Sequence, residues 1–137
     1  MSRAYDIAAF RATIGPIKWE DNPILVRQKS RDFHWYSPVL KRELEAVTAD
    51  VVVSPTSEEE VRTVLAAAYR LEIPVTPRGA GTGNYGQAMP LIGGVLMNLA
   101  EMNRVKSIER GRVVCEPGSL LINIDKAVQP SAQELRM

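Results

Sequence analysis

One cysteine, Cys115, and one histidine, His34, are all the chain has of the two residue types that most often hold zinc. A lone cysteine cannot close an internal disulfide, and a lone histidine cannot build a His/Cys metal cluster, so no metal is expected. Excess charge is lacking too. The 17 basic and 16 acidic residues leave a net charge of +1, which gives no broad basic field for nucleic acid and no acidic tail. No apolar run reaches the roughly 20 residues that a membrane-spanning helix needs, and the opening MSRAYDIAAFRATIG lacks the apolar core of a signal peptide. The expected address is the cytoplasm, with no nucleic-acid partner and no membrane span. Repeats and low-complexity linkers are also absent, and 45% hydrophobic with 24% charged residues is the composition of an ordinary globular domain.

What is there falls into two parts. Residues 1–49 read as an N-terminal arm with one short helix over residues 2–14, capped by Ser2, with Ile7, Phe10 and Ile14 on one face and Gly15-Pro16 ending it. The rest of the arm has no clean period and reads as extended chain and loop. Both tryptophans, both phenylalanines and two of the four tyrosines lie before residue 37, so the arm is expected to dock through aromatic side chains. His34, between Phe33 and Trp35, has no evident partner and reads as a packing or surface residue.

From residue 50 the pattern sharpens. Val51, Val52 and Val53 make a strand apolar on both faces. A helix comes next, started by a capping box of Ser57 and Glu60, with Val61, Val64, Leu65, Ala68 and Leu71 on its buried face. A second strand over residues 73–76, between Pro74 and Pro77, completes a βαβ unit with parallel strands and a right-handed crossover. A third strand over residues 94–99 precedes a hairpin turning at Arg110-Gly111. Ser119 is then expected to cap a last helix that carries Leu120, Leu121, Ile124 and Val128 on one side, and Cys115 alternates with Val113 as a small core residue.

Six of the nine glycines, Gly79, Gly81, Gly83, Gly86, Gly93 and Gly94, crowd into PVTPRGAGTGNYGQAMPLIGG. Gly81, Gly83 and Gly86 satisfy the GxGxxG dinucleotide pattern, and Glu101 stands where its ribose carboxylate would. That reading fails immediately after Gly86, because QAMPLIGGVLMN carries Pro90 and a Gly-Gly pair and cannot open a helix. A P-loop fails as well, since no Gly-Lys-Ser/Thr ends the run. What remains is a glycine loop between strands, fit to hold an anion on successive backbone N–H groups, with tight turns as the plainer alternative. Arg78 either touches the ligand or pins the loop to a carboxylate.

The stretch SPTSEEEVRTVLAAAYRLEIPVTPRGAGTGNYGQAMPLIGGVLMNLAEMNRV, with VVCEPGSLL after it, resembles the FAD-linked oxidases of the p-cresol methylhydroxylase and vanillyl-alcohol oxidase group, nearest to the glycolate oxidase and D-lactate dehydrogenase branch. The resemblance implies an α+β fold: the first half of a p-cresol methylhydroxylase-type FAD-binding domain, a βαβ unit with further strands and a terminal helix. Residues 50–137 would be a partial FAD-binding domain truncated at its C-terminus. It implies FAD as cofactor, with the pyrophosphate held on the amides of Gly79, Ala80, Gly81, Thr82 and Gly83 beside Arg78, and with Gly86 and, more weakly, Gly118 close to the cofactor. Glu116 and Pro117 would shape the start of the last helix. Thr82 stands where some members carry a histidine bonded to the flavin, so non-covalent FAD is implied.

By the same resemblance the whole protein would be an FAD-dependent oxidase or dehydrogenase that takes a hydride from a 2-hydroxy acid of glycolate or D-lactate type. A domain beyond Met137 would bind that acid, and the 137 residues alone would be inactive and would tend to self-associate into homo-oligomers. No catalytic residue is assigned. Two other readings stand beside it: a non-catalytic flavin-binding or assembly module, and an NADPH-dependent FAD reductase of the same fold, of the kind that acts in UDP-N-acetylmuramate synthesis.

Overall fold

A computed structural model describes residues 5–32 and 37–135. Its centre is a four-stranded sheet in the order β1-β2-β4-β3, built from Lys18–Glu20, Val51–Ser54, Val95–Asn98 and Val75–Arg78. β2 and β3 both run parallel to β4, while β1 is antiparallel to β2. All residues of β2 and β4 are buried. Alternation explains why: Val51, Val53, Val95 and Met97 face one core with Phe10, Ile14, Val64, Ala67 and Ala68, while Val52 and Leu96 face another with Val26 and Ala49.

Strand, helix and parallel strand follow in the expected order, with α4 at Glu58–Arg70 between β2 and β3, but β3 is Val75–Arg78 rather than residues 73–76 and runs through Pro77. Ser57 Oγ accepts from Glu60 N at 3.2 Å, but the Glu60 carboxylate closes on Thr56 N and Oγ1 rather than on the cap itself. The buried face is Val64, Ala67 and Ala68, and Leu65, expected inside, is 44% exposed. β2 and β3 are not neighbours, since β4 inserts between them. Two adjacent parallel strands need a long connection. Between β3 and β4, residues 79–94 make it without a helix, as bends and turns. β3 sits at the sheet edge and contains Pro77, which an edge strand tolerates because the missing N–H is needed on no ladder.

Two expectations for residues before 50 are corrected. The first helix, α1, is Ile7–Ile14, capped by Asp6, whose side chain accepts from Ala9 N; Ser2 lies outside the described residues. The stretch read as extended arm contains β1 and two short helices, α2 at Pro23–Lys29 and α3 at Pro38–Leu44. Each starts at a cap followed by proline, Asn22-Pro23 and Ser37-Pro38, and each is 7 residues long, too short for a hydrophobic period to show. Aromatic docking holds for Phe10, which is fully buried and 6.2 Å from the Trp19 ring. Phe33, His34, Trp35 and Tyr36 lie outside the described residues, and with them the reading of His34.

After β4 comes the hairpin of β5 (Val105–Glu109) and β6 (Arg112–Cys115), with Gly111 at φ +74° in its turn. Cys115 is half-buried rather than in the main core. The last helix, α5, is Leu121–Val128 and buries Ile124 and Val128. Ser119 does not cap it: Leu120 takes the cap position with no side-chain bond, and Ser119 Oγ is buried without a partner among the described residues. Leu121 is 59% exposed.

Candidate functional site

The three parallel strands end together, β2 at Ser54, β4 at Asn98 and β3 at Arg78. In open parallel sheets the crevice beyond these carboxyl ends is where ligands sit. Asn98 is buried; its Nδ2 donates to Ser54 Oγ at 3.2 Å, and its Oδ1 has no partner among the described residues.

The glycine loop leaves from this edge. Arg78, Gly79, Ala80, Gly81, Thr82 and Gly83 line one cleft of about 290 Å³ together with Asp32 and Gln87. Among the described residues nothing accepts a hydrogen bond from the N–H groups of Ala80, Gly81, Thr82 or Gly83. N–H donors with no partner among the described residues, around a left-handed glycine, Gly81 at φ +74°, are what an anion nest requires. No helix follows the loop, so a Rossmann arrangement is excluded. Glu101, which that arrangement would use, pairs instead with Lys18 on the surface.

Arg78 makes a pinning contact, to a backbone carbonyl rather than in a hydrogen-bonded pair with a carboxylate. Its guanidinium folds back over Gly81, so that a Cβ there would lie 2.1 Å from Nη2, and its Nη1 donates to Arg31 O at 2.7 Å. Burial pushes the Arg78 guanidinium below its ordinary pKa, while the nearby Asp32 carboxylate pulls it back up. The cleft thus combines a cation at its base with backbone donors on its wall, which suits a pyrophosphate.

The remaining expected residues lie around this cleft in different ways. Gly86, at φ +77°, donates its N–H to Asp32 Oδ2 at 2.9 Å, so it ties the loop to the N-terminal segment. Gly118 belongs to a neighbouring recess of about 140 Å³ that it shares with Ala80, Asn103 and Asn123. Its lack of a side chain is already required by the fold, because a Cβ would meet Leu99 O at 2.1 Å. Gly79 is likewise constrained by backbone, with Pro117 O at 2.7 Å from its Cβ position. Glu116 is structural, as expected: its carboxylate takes Arg104 N at 2.9 Å and Nη2 at 2.8 Å. Those bonds hold it below the usual carboxylate pKa. Asp32 and Gln87 were not foreseen. No local motif marks them, and their contacts to the loop cross up to 54 residues of sequence or depend on its fold.

Comparison with known proteins points the same way. A family model described as "FAD binding domain" matches residues 49–136. The chain is similar to the glycolate oxidase subunit GlcD of Escherichia coli K12, 42% identical over 84 residues, which is 58% of this chain and 16% of that protein. It is similar to a D-lactate dehydrogenase of Anaerostipes hadrus, 36% identical over 86 residues, 63% of this chain and 18% of that one. Among solved structures, 4-ethylphenol oxidase from Gulosibacter chungangensis superposes with a TM-score of 0.72 at 27% identity, covering 90% of this chain and 24% of that chain. p-Cresol methylhydroxylase superposes at 0.68 with 20% identity over 90% of this chain and 24% of that one, which speaks for the fold alone. The chain therefore spans under a fifth of the length of these curated relatives.

Proposed function

The chain belongs to the FAD-binding-domain family, and on that premise we propose that it is the pyrophosphate-holding part of an FAD-dependent oxidoreductase that oxidises a 2-hydroxy acid of glycolate or D-lactate type. The observation that carries the site is the loop after β3, where Ala80, Gly81, Thr82 and Gly83, whose N–H groups have no partner among the described residues, line a cleft together with Arg78. The N–H donors take the phosphate oxygens, Thr82 adds its hydroxyl, and Arg78 holds the loop in register while contributing positive charge. Gly86 and the recess at Gly118 flank this contact. Bound FAD supplies the acceptor for a hydride from the carbon that bears the substrate hydroxyl.

The substrate class rests on the likeness to glycolate oxidase and D-lactate dehydrogenase. The division into residues 1–49 and a flavin-binding part from residue 50, a cytoplasmic address and self-association belong to the same proposal. Among the described residues no helix is long and apolar enough to cross a membrane.

The test has two stages on the full-length protein. Titration with FAD, followed by flavin fluorescence, is expected to saturate at one FAD per chain. Addition of glycolate or D-lactate with an artificial electron acceptor is then expected to reduce the dye. Saturable FAD binding with no reduction by any 2-hydroxy acid would remove the substrate assignment and keep the cofactor site.

A further inference from the structure

We propose that Asp32 is a positioning residue of the cofactor loop: it holds the far end of the loop through Gly86 so that the donors between stay open toward the pyrophosphate. The inference rests on the FAD reading above and lies outside the matched family segment, which begins at residue 49.

Segment 30–32 is fixed before it reaches the loop. Ser30 is fully buried; its hydroxyl donates to Val26 O at 2.8 Å and accepts from Ala49 N at 3.1 Å, which fastens it between α2 and the approach to β2. The Arg31 guanidinium donates to Leu44 O, Glu45 O and Val47 O, capping the carbonyls at the end of α3. From this fixed base two bonds cross to the loop. Arg31 O accepts from Arg78 Nη1 at 2.7 Å, at the point where the loop leaves β3, and Asp32 Oδ2 accepts from Gly86 N at 2.9 Å, eight residues later. The same Oδ2 lies 3.4 Å from where a Gly83 Cβ would stand, so it also bounds the loop from below.

A glycine-rich loop is costly to order, because glycine loses the most backbone freedom on fixing. A ligand that must order it binds more weakly than one that finds it formed. Two anchors, at residues 78 and 86, shorten the free span and supply that order in advance. A carboxylate beside an anion site repels the anion unless its charge is engaged. Asp32 accepts a backbone N–H and stands in the field of Arg78.

Two substitutions separate the bond from the charge. Asp32→Ala removes both, and Asp32→Asn keeps an oxygen that can accept from Gly86 N–H. FAD affinity is measured by fluorescence titration of the full-length protein, and amide hydrogen exchange of the peptide over residues 79–87 is measured without FAD. Asp32→Ala is expected to raise the FAD Kd about tenfold or more and to speed exchange in that peptide, with Asp32→Asn within about threefold of the parent Kd and its exchange slow. Should Asp32→Ala fail to fold, Asp32→Ser, too short to reach Gly86, replaces it. Parent-like affinity and exchange in the alanine variant overturn the proposal, as does tighter FAD binding, which would make the carboxylate a competitor of the pyrophosphate. An asparagine variant as impaired as the alanine one overturns it too. If the parent protein binds no FAD, the functional reading falls, and the exchange comparison still decides whether Asp32 orders the loop.

Discussion

The glycines of the loop look alike in sequence but are required for different reasons, and substitutions are expected to sort them. Gly81 needs its left-handed φ of +74° and leaves room for the Arg78 guanidinium. Gly81→Val strains the backbone by roughly 1–2 kcal/mol and displaces Arg78, so FAD affinity is expected to fall by about 2 kcal/mol, the loss of one or two charge-assisted hydrogen bonds. Gly83 is not left-handed, and a Cβ there meets chiefly the flexible end of Gln87 at 2.9 Å. Gly83→Ala is therefore expected to weaken FAD much less in the same titration. Glu101→Ala, which removes the surface pair with Lys18, is expected to leave FAD affinity unchanged; a marked loss would revive a Rossmann-like ribose contact. Glu116 gives a pH signature. Its folded pKa is lowered by the hydrogen bonds from Arg104, so its contribution to stability is present above the unfolded carboxylate pKa and is lost as pH falls through the folded one. Thermal midpoints measured from about pH 7 down to about pH 3 are expected to drop more steeply for the parent than for Glu116→Gln.

Elements were legible where one local signal settled them. The three valines of β2, the Ser57 start of α4 and the Arg110-Gly111 turn all carry their structure in a few adjacent residues. α2 and α3 were not read, although Asn-Pro and Ser-Pro marked both starts, because seven residues give fewer than two full turns for a period to show. Ser119 misled for the opposite reason: it had the residue type of a cap but sits one position before the actual cap, Leu120. Ser57→Ala is expected to cost about 1 kcal/mol of stability in urea unfolding, with no change in FAD affinity, because no residue of α4 lines the loop cleft. Gly94 lies where β4 begins beside β3. A Cβ would stand 2.1 Å from Pro74 O at a φ of +76°, and its N–H donates to Asp50 Oδ2 and Tyr5 OH. Gly94→Ala is expected to unfold the sheet edge, seen as loss of the cooperative thermal transition.

At the scale of the whole molecule, the glycine pattern pointed away from a Rossmann helix, and none follows the loop, but the sheet order did not emerge from the sequence. That β4 pairs with β2 as well as with β3 depends on contacts 44 residues apart, and the support of the loop by Asp32 on one 54 residues apart. Thr82 in the loop offers no nucleophile of the kind that bonds flavin, so acid precipitation of the flavin-loaded protein is expected to leave the yellow colour in the supernatant; colour in the pellet would show a covalent link. The central claim is that backbone N–H groups after β3 hold the FAD pyrophosphate. An FAD titration followed by amide proton–nitrogen NMR tests it most directly. The largest shifts are expected at the amides of Ala80, Gly81, Thr82 and Gly83, moving in parallel with saturation and reproduced in direction by ADP, which shares the pyrophosphate. Saturable FAD binding that leaves those four amides unmoved would contradict it.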